Sequence, residues 1–176
     1  MDNYIIRKAH VSDSPRMAEI HVFGWRCAYK DFISLDHLYN KLTVKIREEK
    51  FTEYLSTEND NDEGFVYING NIVKAFLTMG KCRDNDKNEE TFELMGIYVD
   101  PLFQRQKIGT HLVEYCINTA IEKNKIEIVL WVFEKNNDSI KFYEKMGFRK
   151  DGSKFLKKNF NEYAIRMEME LNRKKK

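Results

Sequence analysis

Apolar and polar positions change period several times along the chain, and each change marks a predicted element. Tyr4-Ile5-Ile6-Arg7-Lys8 reads as a short first strand. Ser12-Asp13-Ser14-Pro15 supplies a helix start, a capping oxygen ahead of a first-turn proline. Met17, Ile20, His21, Gly24, Trp25 and Ala28 then recur at helical spacing and carry the helix to about Tyr29. A second helical region is expected over residues 35–39 and 44–54, with Thr43 as a cap. Residues 65–68 and 72–79 read as strands around Asn69-Gly70, a pair whose tolerance of positive φ is a strong hairpin signal. Residues 83–90 carry no apolar side chain and read as a loop, solvated rather than poised to attract a cationic amine. Residues 92–99 follow as a strand, and Ile108, Leu112, Val113, Cys116, Ile117 and Ala120 mark one face of a helix. Residues 126–133 form a buried strand, 138–145 a short helix stopped by Gly147, 148–150 a short strand, and 162–171 an alternating strand expected to close the sheet. This order predicts an α+β or mixed α/β fold, with a right-handed parallel crossover about the helix that starts near Ile108.

Composition narrows the classes. The 176 residues suit one domain, expected over 1–171, with a solvated basic tail at 172–176. Hydrophobic residues make up 42%, enough for a packed core. The 30 basic and 28 acidic residues leave a net charge of +2, which gives no electrostatic case for a nucleic acid partner. No apolar run approaches the roughly 18 residues of a membrane span. Met1-Asp2-Asn3-Tyr4 lacks the basic-then-apolar pattern of a secretory signal. Cys27, Cys82 and Cys116 are odd in number and lack metal spacing, so they are expected as small core fillers in a reduced, cytoplasmic setting. His10, His21, His37 and His111 show no ligand spacing, and no metal is expected.

The stretch Asp100-Pro-Leu-Phe-Gln-Arg-Gln-Lys-Ile-Gly-Thr110 joins a strand to a helix. First-turn amides of a helix lack intrahelical partners and sit at the positive end of its dipole. Gln104, Arg105, Gln106, Lys107, Ile108, Gly109 and Thr110 therefore offer either an anion cradle or a plain connection with a packing glycine. The dinucleotide and P-loop fingerprints, G-x-G-x-x-G and G-x-x-x-x-G-K-[ST], are absent. One strand downstream stands Asn136-Asn-Asp-Ser139-Ile-Lys-Phe142-Tyr143-Glu-Lys-Met-Gly147-Phe148.

Together the two segments resemble the GNAT family of acetyl-CoA-dependent N-acetyltransferases. Gln104 to Gly109 is similar to its pyrophosphate signature, [Q/R]-x-x-G-x-[G/A], and the later run to its N-x-x-[S/A]-x-x-F-Y-x-x-x-G-F segment. The resemblance covers nearly the whole chain. It implies a mixed, mostly antiparallel sheet of about seven strands flanked by helices. Lys107 stands where the signature has its first glycine; it can still donate its amide if φ stays negative, and it can place an ammonium near a phosphate. The resemblance implies that the turn cradles the diphosphate of acetyl-CoA, and that Ile97, Tyr98 and Val99 pair with the coenzyme arm and the thioester. Asn136, with Ser139 in the same run, would contact the arm, or Asn136 would simply cap its helix. Tyr143 is the implied acid for the leaving thiolate, and Glu93 the implied base, acting through a water. By alternation Glu93 joins an otherwise apolar side with Met95, Ile97 and Val99. His21, Trp25, Arg26 and Tyr29 on the first helix line the acceptor pocket or form a packed aromatic stripe. The implied activity is direct acetyl transfer to a primary amine, of a small molecule or of a protein N-terminus or lysine. The alternative is a non-catalytic acyl-CoA sensor. Homodimers are common in the family, and no interface is legible in the sequence.

Overall fold

The computed structural model describes residues 4–57 and 62–171. The basic tail at 172–176 and the leader reading at Met1-Asp2-Asn3 lie outside the described residues. Strand β1 (Tyr4–Lys8) leads through a 3-10 turn (Val11–Asp13) into α1 (Ser14–Tyr29). A π-helical turn (His37–Lys41) precedes α2 (Val44–Ser56), whose cap is Thr43, accepting from the Ile46 amide at 3.3 Å. Next come β2 (Asp62–Asn69), β3 (Ile72–Lys81), β4 (Thr91–Val99), α3 (Ile108–Glu122), β5 (Glu127–Phe133), α4 (Asn137–Lys145), β6 (Arg149–Lys157) and β7 (Glu162–Glu170). The seven strands form one sheet in the order β1-β2-β3-β4-β5-β7-β6. β1 with β2, β5 with β7 and β6 with β7 pair antiparallel. β4 and β5 pair parallel, as the strand–helix–strand unit requires, from Thr91 opposite Glu127 to Glu93 opposite Val129.

Several expectations shift. The hairpin turn is Gly70-Asn71 rather than Asn69-Gly70: Gly70 and Asn71 are the left-handed pair, at φ of 61° and 62°, and Asn69 still belongs to β2. The short strand after α4 runs to Lys157, because Arg149, Lys150 and residues 154–157 all find partners on β7, with an irregularity between Lys150 and Lys154. β7 does not end the sheet but inserts between β5 and β6, leaving β6 at the edge. Cys27 is exposed near the end of α1 and fills no core position. Cys116 is buried, which pushes its thiol up to about 12 and keeps it protonated.

Packing divides the chain into two compact units: one takes the chain up to Thr78 together with Ile97–Leu112, the other Met79–Gly96 together with everything from Val113. The core of the first unit joins Ala9, Met17, Ala18, Ile20, Phe51, Val66 and Phe76, with Val73 and Tyr98 packed against it. α1 supplies three of these through its helical stripe, and it packs on α2. The second unit is organised around a buried cation. Arg166 on β7 is 4% exposed, bonds Asp84 at 2.9 Å, Asp86 at 2.7 and 2.6 Å, Asp151 at 2.6 Å and Ser153 at 3.0 Å, and lies over the Trp131 ring. Hydrogen bonding to Asp86 raises the Arg166 pKa most, burial opposes it, and Asp84 and Asp151 add to the rise. The polar loop at 83–90 is thus held against the sheet rather than merely solvated; Lys87 adds bonds to Glu127 and Glu168 at 2.8 and 3.2 Å.

Candidate functional site

The turn after β4 is fixed by one residue. Asp100, 6% exposed, donates its amide to the Lys74 carbonyl at 2.9 Å, and its Oδ1 accepts from the Leu102 amide at 2.9 Å. Its Oδ2 accepts from the Arg16 guanidinium, which also bonds the Val73 carbonyl at 3.0 Å and Glu19 at 2.9 Å. Asp100 therefore ends the strand, caps the 3-10 turn Pro101–Phe103 and ties it to α1. The Lys74 ammonium over the Phe103 ring at 4.6 Å holds the turn from the β3 side.

Beyond that anchor the backbone is strained. Arg105 and Lys107 are left-handed, at φ of 64° and 60°, and Gln106 between them is not. The condition of negative φ at Lys107 is not met: the chain keeps the conformation that a glycine would take and bears the side-chain strain, roughly 1–2 kcal/mol per residue. Alternation of left-handed and ordinary residues aims successive amides to one side, the geometry of an anion nest. The Lys107 carbonyl accepts the first helical bond of α3, from the His111 amide at 3.1 Å. The amides of Ile108, Gly109 and Thr110 consequently have no carbonyl one turn back. No acidic residue occurs from Pro101 to Val113, while Arg105 and Lys107 are exposed. This donor set fits a polyanionic diphosphate.

Also in the first unit, α1, α2 and the end of β4 build an aromatic cluster. The His21 ring lies 4.6 Å from Tyr98 and 5.4 Å from Trp25, and meets Phe51 edge-on at 6.0 Å. Trp25 Nε1 donates to the Tyr98 hydroxyl at 3.3 Å, and Tyr29 meets Trp25 edge-on at 4.8 Å. Tyr98 is fixed from below by Phe76, stacked at 5.0 Å. Burial raises the Tyr98 phenol, against the Trp25 hydrogen bond. Of the four predicted residues on α1, His21, Trp25 and Tyr29 thus share one cluster. Arg26 turns elsewhere: it lies 4.5 Å over Tyr39 and donates to the Leu38 carbonyl at 3.0 Å, holding the π-helical turn. Sequence reasoning passed over Arg47, which stands 4.7 Å over Phe51 and whose charge acts on both His21 and Tyr98. Arg16 and Asp100 were missed as well. An apolar helical stripe interrupted by arginine, and an aspartate before proline, were the signals that could have found them.

In the second unit Glu93 is 4% exposed and its strand neighbours Phe92 and Leu94 are 2% exposed each, so this part of β4 is buried on both faces. Its carboxylate accepts from the Arg83 amide at 3.2 Å and from the Arg83 guanidinium at 3.0 and 2.7 Å. Tyr143 on α4 is half-buried between Phe142 and Phe148, at 5.2 and 5.8 Å. Asn136 caps α4, accepting from the Ser139 amide at 3.2 Å, and keeps its own side-chain N–H groups as donors.

A family model described as the acetyltransferase (GNAT) family matches residues 31–148. The chain belongs to this family. Among curated relatives, an uncharacterised N-acetyltransferase of Methanocaldococcus jannaschii is 30% identical over 148 residues, 82% of this chain and 60% of that protein, so the match leaves over a third of the relative's length uncovered. A spermidine N(1)-acetyltransferase of Thermoplasma acidophilum is 25% identical over 86% of this chain and 93% of its own length. The crystal structure of the PaiA N-acetyltransferase of Thermoplasma acidophilum, in complex with coenzyme A, superposes with a TM-score of 0.77 over 96% of this chain and 99% of that one. At 20% identity this likeness establishes the GNAT fold.

Two predictions follow from the geometry of this family member. His21 is held neutral, its pKa pushed down to about 2 by burial, with Arg47 adding to the effect. The unfolded chain regains an ordinary histidine near 6.5, so it binds the proton that the folded chain refuses. Stability should therefore be full above about pH 6.5 and fall by about 1.4 kcal/mol per unit below it. Urea unfolding between pH 6.5 and 4.5 should show this slope, and His21→Asn should flatten it whatever its effect on the absolute stability. At Lys107, replacement by glycine should keep or raise stability, by up to about 1 kcal/mol or roughly 2–4 °C in Tm, whereas Lys107→Val should lower it.

Proposed function

We propose that the chain is an N-acetyltransferase that moves an acetyl group from acetyl-CoA to a primary amine by direct attack, without an acetyl-enzyme. The observation that carries this reading is the turn after β4, with its left-handed Arg105 and Lys107 and the unmet amides of Ile108, Gly109 and Thr110. Acetyl-CoA supplies the activated thioester. The residues of the turn bind its diphosphate through main-chain N–H groups, with Gln104, Gln106 and the two cations beside them. Ile97, Tyr98 and Val99 offer strand amides to the arm, and Asn136 and Ser139 offer side-chain contacts.

Tyr143 protonates the departing sulfur; the parent thiol has a pKa near 8.5, so a phenol suffices as donor. Glu93 receives the proton of the acceptor amine through a water. The Arg83 pair occupies both carboxylate oxygens of Glu93. For that step the Arg83 guanidinium, on a side chain 62% exposed, must yield the carboxylate to that water. The same pair favours a second reading, a non-catalytic acyl-CoA sensor, in which Glu93 stays neutralised. Thiol release over a panel of amines separates the two, since a sensor releases none above the buffer rate.

Titration calorimetry should show acetyl-CoA binding, and its absence removes the reading. Tyr143→Phe should lower kcat by roughly 10²–10⁴; an unchanged kcat takes Tyr143 out of the reaction. Glu93→Gln should abolish the acidic limb of the rate profile, and a limb that persists assigns the base to another group.

A further inference from the structure

We propose that Arg47 is the specificity residue for the acceptor, and that it binds a carboxylate carried by the amine, so that the enzyme acetylates a small amino acid rather than a polyamine or a protein amine. The inference rests on the acetyl-transfer reading of the aromatic cluster.

Arg105 is exposed to solvent, whereas most of the other described arginines are paired within the fold. Arg7, Arg16, Arg83, Arg149 and Arg166 each hold a carboxylate, and Arg26 holds a backbone carbonyl. Arg47 is half-buried in the first turns of α2, yet no carboxylate is recorded against it among the described residues. Its Nε is buried without a hydrogen-bond partner. The Phe51 ring at 4.7 Å compensates part of the charge, but a ring face offers no acceptor for the planar N–H fork. Partial burial of a guanidinium with no counter-charge beside it is costly, and burial accordingly depresses its pKa.

A second unmet group lies in the same cluster. Phe51, which carries Arg47 on its face, meets the His21 ring, and the Nδ1 of His21 is buried without a partner in a residue only 5% exposed. The Tyr98 hydroxyl accepts from Trp25, which leaves its own proton to be donated. The cluster thus combines one full positive charge, an imidazole nitrogen and a phenolic donor within aromatic walls, and no acidic residue is among them. Such a set recognises an anion. A carboxylate matches the single charge and the planar fork of one guanidinium. The same charge disfavours the ammonium form of a neighbouring amine, and so favours the free base that attacks. A polyamine would bring further ammonium groups to a cluster with no carboxylate to receive them.

The test measures thiol release from acetyl-CoA with the common L-amino acids, with the carboxamide of each one that reacts, and with spermidine. Wild type, Arg47→Met and Arg47→Lys are compared; methionine keeps an apolar stem over Phe51, and lysine keeps the charge without the fork. Wild type should prefer an acid over its carboxamide by roughly 10- to 100-fold in kcat/KM. That ratio should fall to near unity in Arg47→Met and take an intermediate value in Arg47→Lys. Calorimetry with acetyl-CoA should give the same affinity for all three, which shows that the variants are folded. The proposal is overturned if acid and carboxamide react equally, if spermidine is the better acceptor, if the ratio survives in Arg47→Met, or if acetyl-CoA binds and no amino acid reacts. Failure of wild type to bind acetyl-CoA overturns the acetyl-transfer reading itself, and the proposal with it.

Discussion

The pairing of Asp100 with Arg16 is the constraint on which the candidate site depends. A carboxylate at the end of β4 is buried, and burial of an unpaired charge is prohibitively costly. Arg16 meets that charge from α1 while Asp100 spends its amide on β3 and its second oxygen on the turn that follows. One residue thereby fixes three directions: where the strand stops, how the chain turns and which helix the turn rests on. The left-handed backbone at Arg105 and Lys107 lies a few residues further, and strain of that kind persists only where its surroundings over-determine it.

The second unit uses the same physics. Arg166 is buried on β7 and draws Asp84, Asp86 and Asp151 to one point. A loop with no apolar residue cannot anchor itself by hydrophobic burial, and here it is anchored by charge instead. That places Arg83, the first residue after Cys82, where both its amide and its guanidinium reach Glu93. The neutralised state of Glu93 is thus connected, through the loop's backbone, to the position of Arg166.

Hydrophobic periodicity made most of the fold legible. α1, α3 and α4 and the strands β1, β4 and β5 fall within a residue or two of their predicted bounds, because each has a one-sided apolar stripe or a continuous apolar run. β6 was underestimated because Lys150, Lys154 and Lys157 interrupt it; it is an edge strand, held by main-chain pairing to β7 that no side-chain pattern reports. The hairpin turn slipped by one because Asn69-Gly70 and Gly70-Asn71 both satisfy the positive-φ rule, and only strand register chooses between them. In the site, the phosphate-type turn and the stripe of His21, Trp25 and Tyr29 were readable from spacing and motif. Arg47 was not, since an arginine on a helix is solvated unless the partner helix happens to cover it. Its distinction from Arg26 lies wholly in tertiary packing: Arg26 finds a carbonyl and Tyr39, while Arg47 finds a ring.

Two groups of unmet polar atoms in the first unit bear on the proposed reading. Polar groups that hold the fold in place are paired: Asp100 by Arg16, Asp13 by Arg7, Lys74 by Asn69. Besides the Ser14 hydroxyl at the start of α1, unmet groups stand at the start of α3 and around His21 and Arg47. A chain that can satisfy a buried aspartate across 84 residues of sequence is able to satisfy a guanidinium on a neighbouring helix. Leaving Arg47 Nε and the first amides of α3 without acceptors withholds stability from the folded state, which the proposed anions would return. On the proposed reading, local rules are broken where a ligand completes them, and both breaks take the same sign of charge: a diphosphate at the turn and a carboxylate in the aromatic cluster.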